Sequence, residues 1–216
     1  MQIVKYDDLE WEDRINVDNW PSKAGTYYDD RQSELCIRLI DYAFGAVEPR
    51  HVHAGCHATT LLKNHAIVDG LTLGPLDVVL GPSNEPHGPL EYPEGCNLLS
   101  AFVGSFFHSE VEKLSGEKQY RLIQHKTIPW EKGNGCEIKT LVDRGVGSLV
   151  VQAIRFPTDT CHLPDYLGAL VVEGAATIAG KRLKAWDFFH TDEGAAPEEV
   201  RFDSETVLLT HTMRVK

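Results

Sequence analysis

Residues 66–82 read AIVDGLTLGPLDVVLGP, and this stretch decides the fold class. Two short apolar runs, Ala66 to Val68 and Leu71 to Leu73, flank Asp69-Gly70, the dipeptide that most favours a tight primed hairpin turn. The next run, Asp77 to Leu80, lies between Gly-Pro pairs at 74–75 and 81–82. Reading outward, Leu35 to Phe44 is a strand-length apolar run ended by Gly45, and Cys96 to Val103 follows Gly95. Strands so closely spaced, with almost no 3.6-residue period, predict an all-β sandwich or barrel. The one helical pattern expected is short, around Ser109 to Lys118.

The second half repeats the pattern. Gly147 to Phe156, Leu167 to Gly174, Ala175 to Ile178, Lys181 to Leu183 and Thr206 to Thr212 read as strands. Trp186-Asp187-Phe188-Phe189 echoes Leu76-Asp77-Val78-Val79 at an offset of 110, and FPTDTCHLPD (156–165) laid over FGAVEPRHVH (44–53) gives 112. An internal duplication explains both. The expected organisation is a polar arm over residues 1–35 anchored by Trp11 and Trp20, a barrel over 36–104, a linker over 105–136 and a second barrel over 137–216.

The 216 residues carry 21 Lys+Arg against 32 Asp+Glu, a net charge of −11, with no basic cluster, which argues against nucleic acid as the partner. No apolar run is long enough for a membrane helix, and the acidic start MQIVKYDDLEWEDR does not read as a secretory signal, so a cytoplasmic protein is expected. The five cysteines, at 36, 56, 96, 136 and 161, show no CxxC pair and read as free thiols.

Chemistry concentrates in histidine. Of ten histidines, His51, His53, His57 and His87 fall within 37 residues. The first three share parity and would project from one face of a strand. Buried imidazoles need polar partners, and a divalent transition metal satisfies several at once. By the same parity Thr59 and Leu61 are expected to line the pocket, whereas Arg50 and Cys56 point away. Glu85 reads as a loop carboxylate, with a second role as acceptor for an imidazole N–H left open. His65, His108, His125 and His211 belong to no constellation, and neither a Ser-His-Asp grouping nor a Gly-rich phosphate loop is visible.

The spacing Gly45-x5-His51-x-His53-x3-His57, followed by Asp77-Val-Val-Leu-Gly-Pro-Ser-Asn-Glu-Pro-His87, resembles the two cupin motifs over about residues 36–104. The C-terminal half resembles a second, degenerate cupin domain. The rhythm of the arm and first barrel is similar to the cupin domain of anti-sigma factors and of small diketone dioxygenases. The resemblance implies two tandem jelly-roll (double-stranded β-helix) barrels. It makes His51, His53 and His87 metal ligands and puts His57 where the family usually has glutamate. Asn64 and Asn84 stand where the motifs usually have glycine.

Four neutral imidazoles around a divalent cation would leave a charge of +2, favouring bound anions and acidifying bound water or an enolisable substrate. Fe(II) leads, with Zn, Ni and Mn left open. At the offset of 112 the second half places Leu163, Asp165 and Ala169 opposite His51, His53 and His57; at 110 it places Pro197 opposite His87. No ligand set is expected there, and His162 and His190 read as ordinary residues. The resemblance implies a dioxygenase of a small diketone, hydroxyketone or phenolic substrate. A metal-dependent isomerase or lyase of a sugar or small acid, and a non-enzymatic metal- or ligand-sensing module, are the alternatives. A homodimer is expected.

Overall fold

The computed structural model describes residues 1–15, 21–30, 35–104, 108–110, 120–144, 149–162, 168–190 and 199–213. Among these there is no α-helix, and no helix long and apolar enough to cross a membrane. The chain divides into two compact units, one of residues 10–125 and one of residues 1–9 with 126–216.

In the unit of residues 10–125, seven antiparallel strands run in the order Arg121–Ile123, Val78–Gly81, Cys56–Lys63, Cys96–Val103, Leu35–Tyr42, Pro21–Asp30 and Trp11–Ile15. A four-stranded sheet of Ala46–Glu48, Leu90–Tyr92, Ala66–Val68 and Leu71–Leu73 and a ribbon of His51–His53 with His108–Glu110 complete it. The core takes Ala24, Ile40, Leu61, Val79 and Leu98 from the large sheet and Ala46, Val68, Leu73, Leu90 and Tyr92 from the smaller one. Asp69-Gly70 makes the expected hairpin turn, with φ of 52° and 75°.

The second unit repeats this plan. Its seven strands run Gln2–Val4, Phe188–His190, Gly168–Glu173, Thr206–Met213, Leu149–Phe156, Glu137–Asp143 and Glu131–Lys132, and its four Asp159–His162, Glu199–Phe202, Ala175–Ile178 and Lys181–Lys184. The duplication extends to single bonds. Asp77 accepts from Gly74 N at 2.8 Å and His125 N at 2.8 Å, and Asp187 accepts from Lys184 N and Tyr6 N, each at 2.9 Å. Leu76 and Trp186, each just before its aspartate, both hold a positive φ, 69° and 73°. Residues 1–9 thus join the unit built mainly from residues 126–216.

Several boundaries differ from the sequence reading. Gln2–Val4 pairs with Phe188–His190, while Trp11–Ile15 and Pro21–Asp30 extend the first unit's sheet, so the described part of the arm is sheet. The inward residues of Pro21–Asp30 include small Ser22 and Ala24, a burial pattern that apolar alternation does not reveal. Within the expected linker, Arg121–Ile123 pairs with Val78–Leu80. Ser109 and Glu110 of the expected helix lie in a strand; residues 111–118, like Trp20, lie outside the described residues.

The offset of 112 is also corrected. Tyr42 pairs with Cys96 and Phe156 with Thr206, which equates Tyr42 with Phe156 at 114. Ala58 pairs with Ala101 and Gly168 with His211, so the position opposite His57 is Leu167, not Ala169. Residues 163–167 and 191–198 lie outside the described residues.

His211, fully buried on the strand Thr206–Met213, has no hydrogen-bond partner on either ring nitrogen among the described residues. Burial pushes its pKa from the ordinary 6.5 down to about 3. Between those values the unfolded chain takes up a proton that the folded chain refuses. Stability is therefore lost as pH falls below 6.5, by about 1.4 kcal/mol per pH unit for this one group. Urea melts at pH 6, 5 and 4 are expected to show a pH slope smaller by about one proton in His211→Leu than in the unaltered chain.

Candidate metal centre

Backbone pairing builds the site. His51 N donates to the His87 carbonyl at 3.0 Å, His87 N returns a bond to the His51 carbonyl at 2.9 Å, and Asn84 N donates to the His53 carbonyl at 2.7 Å. The segment 82–87 is thereby held along the His51–His53 strand. The strand ends at a bend over Ala54-Gly55, so His57 comes from the next strand, Cys56–Lys63, and not from one continuous strand as parity suggested.

All four rings are buried, at 1% exposure for His51, 6% for His53 and 2% for both His57 and His87. One nitrogen from each of His51, His53 and His87 lies within 4.8 Å of the other two. His57 packs its ring beside them, with centroids 4.7 Å from His53 and 4.6 Å from His87. Its place depends on Gly81, directly across the ladder: a β-carbon there would lie 2.1 Å from His57 Cε1.

The geometry fits a cation. His51 Nε2 and His53 Nε2 are 3.1 Å apart. Cis donors about 2.1 Å from a metal stand ~3 Å apart. His51 Nδ1 donates to the Pro49 carbonyl (2.7 Å) and His87 Nδ1 to the Glu85 carbonyl (3.3 Å), which puts the proton on Nδ1 of each ring and makes Nε2 the nitrogen able to ligate a cation. At Glu85 the acceptor is thus the main chain.

The cavity is small, about 30 Å³, lined by the four histidines, Glu48, Thr59, Ser100, Val79, Leu90, Leu98 and Phe102. Thr59 lines it. Leu61 does not, although it shares Thr59's face; it lies two residues deeper, packed in the apolar core. Glu48 and Ser100 escaped the sequence reading. Glu48 Oε1 is 3.7 Å from His51 Nε2, and Oε2 accepts from the Tyr92 hydroxyl at 3.0 Å. Burial alone would raise the Glu48 pKa, but the nearby histidines and a hydrogen bond from Tyr42 outweigh it and hold the pKa below the usual glutamate value. An acid group thus faces the imidazoles, and its negative charge offsets part of the +2 expected from a divalent cation with four neutral ligands.

His65 Nδ1 lies 3.6 Å from Glu94, and His190 is buried on the strand Phe188–His190. Among the described residues the three-histidine group is the only cluster arranged to hold a metal.

No family model matches the chain, and no curated protein matches it in sequence. Solved structures do match in shape. A Nostoc punctiforme protein proposed to be a dioxygenase superposes with a TM-score of 0.83 at 11% identity, over 99% of this chain and 82% of that one. A single-residue variant of oxalate decarboxylase from Bacillus subtilis superposes with a TM-score of 0.70 at 15% identity, over 100% of this chain and 78% of that one. The likeness covers nearly the whole chain and so runs through both units.

Proposed function

We propose that this tandem cupin fold serves a metal-dependent dioxygenase of a small diketone, hydroxyketone or phenolic compound, with Fe(II) held in the N-terminal barrel. The observation that carries the reading is the buried trio His51, His53 and His87, opening on a small, partly apolar cavity. His57 is the proposed fourth donor. Bound iron would supply the redox chemistry. The protein's part is to fix the imidazoles through the Pro49 and Glu85 carbonyls and to exclude bulk water with Val79, Leu90, Leu98 and Phe102. The likeness to a protein proposed to be a dioxygenase supports the reading.

Glu48 favours a second reading, a lyase or isomerase of a small acid or sugar, because a partly exposed carboxylate lining the cavity could exchange protons with substrate. Metal analysis of the purified chain with an oxygen electrode separates the two. The first reading expects about one iron per chain and oxygen uptake with pentane-2,4-dione or a related hydroxyketone. Stoichiometric manganese or nickel with no oxygen uptake would favour the second.

A further inference from the structure

We propose that the paired hydroxyls of Thr59 and Ser100 bind an acceptor oxygen of the substrate, a carbonyl, carboxylate or enolate oxygen, and so orient it in the cavity. The inference rests on the metal-site reading above and specifies how that site holds its substrate. Thr59 and Ser100 face one another across adjacent strands, with their oxygens 2.9 Å apart. They are 8% and 2% exposed, and both line the cavity that holds the histidines.

Two hydroxyls carry two hydrogens, and the bond between them uses one. Neither side chain makes another hydrogen bond among the described residues. One buried O–H is therefore left to donate, and a buried donor without an acceptor is costly. Either oxygen can be the donor within the pair, so the free hydrogen can be offered from Thr59 or from Ser100.

The second unit supplies an internal control. Ala169 pairs with Thr210 where Thr59 pairs with Ser100. Ala169 has no hydroxyl, and Thr210 donates to the Gln152 carbonyl at 3.3 Å, so nothing is left over. The unsatisfied pair accompanies the histidine cluster and is not a requirement of the barrel.

The test uses the full chain loaded with cobalt(II), comparing the unaltered protein with Thr59→Val, Ser100→Ala and the double variant. Metal content and melting temperature are measured first and are expected to be unchanged. Binding is then followed in the cobalt absorption bands with three probes: pentane-2,4-dione, oxalate and imidazole. The double variant is expected to bind the two oxygen probes about 10- to 100-fold more weakly, the range for a lost hydrogen bond to a charged group. Imidazole, which has no acceptor oxygen, is expected to bind as before, and Thr59→Ser to restore dione binding. Equal weakening of all three probes, or of none, while the unaltered chain binds metal and an oxygen probe, overturns the hydroxyl proposal alone. An unaltered chain that takes up no metal, or binds neither oxygen probe, overturns the metal-site reading with it.

Discussion

Exchange of His87 for alanine is expected to strip the metal: purified His87→Ala should carry less than about 0.1 ion per chain, with affinity at least ~100-fold lower. Removing groups that merely orient ligands already costs 10- to 100-fold, and His87 is one of three nitrogens within 4.8 Å of each other. The fold should survive, because the bridge to His51 is made by main-chain atoms that alanine retains. His57→Ala is expected to lower affinity less, by about 10-fold, since that ring stands beside the trio. Metal analysis with a chelator competition titration reads both variants. A larger loss at His57 than at His87 would move the centre of the site toward the strand Cys56–Lys63. An unchanged affinity in His57→Ala would remove it from the ligand set.

Much of the architecture was legible because turns announce themselves. Asp69-Gly70, the Gly-Pro pairs and the echo of Asp77 in Asp187 marked the strands and the duplication, and both aspartates prove to cap the same turn. The edge strands were not legible. Pro21–Asp30 turns small residues inward, and Arg121–Ile123 is only three residues long and gains its place by pairing with a strand more than forty residues earlier.

At the site the histidine spacing was enough, because imidazoles clustered in sequence announce a need for shared partners. Glu48 was hidden for the opposite reason. It is one acid among 32 Asp+Glu, on a three-residue strand, and becomes part of the site through Tyr42, Tyr92 and the histidines. Ser100 reaches the cavity from a strand 41 residues beyond Thr59, a distance no local pattern spans. Leu61 shows the limit of parity, which assigns a face but not a depth along it.

Loss of the Asp187 carboxylate is expected to destabilise the protein severely without touching the metal. The residue is fully buried and accepts from Tyr6 N and Lys184 N, while Lys5 Nζ lies 3.0 Å from Oδ2. Alanine would strand two backbone donors and remove the partner of a cation that is one-third exposed. Breaking a buried pair costs 3–5 kcal/mol; because Lys5 can turn toward water, the lower end, about 3 kcal/mol, is expected. For a chain of this size that corresponds to a fall in melting temperature of roughly 6–12 °C. Asn at 187 keeps one acceptor oxygen but points its amide N–H groups at an existing donor, so it should recover only part of the loss. Because Tyr6 belongs to the strand-and-turn segment that the first residues lend to this unit, Asp187→Ala should also hasten proteolysis near the N-terminus. Metal content should stay at the unaltered value. The matching change Asp77→Ala is the contrast: it frees Gly74 N and His125 N ahead of the strand bearing Gly81, against which His57 packs. That variant alone should lose stability and metal affinity together, and equal metal loss in the two variants would break the assignment of the centre to the N-terminal barrel.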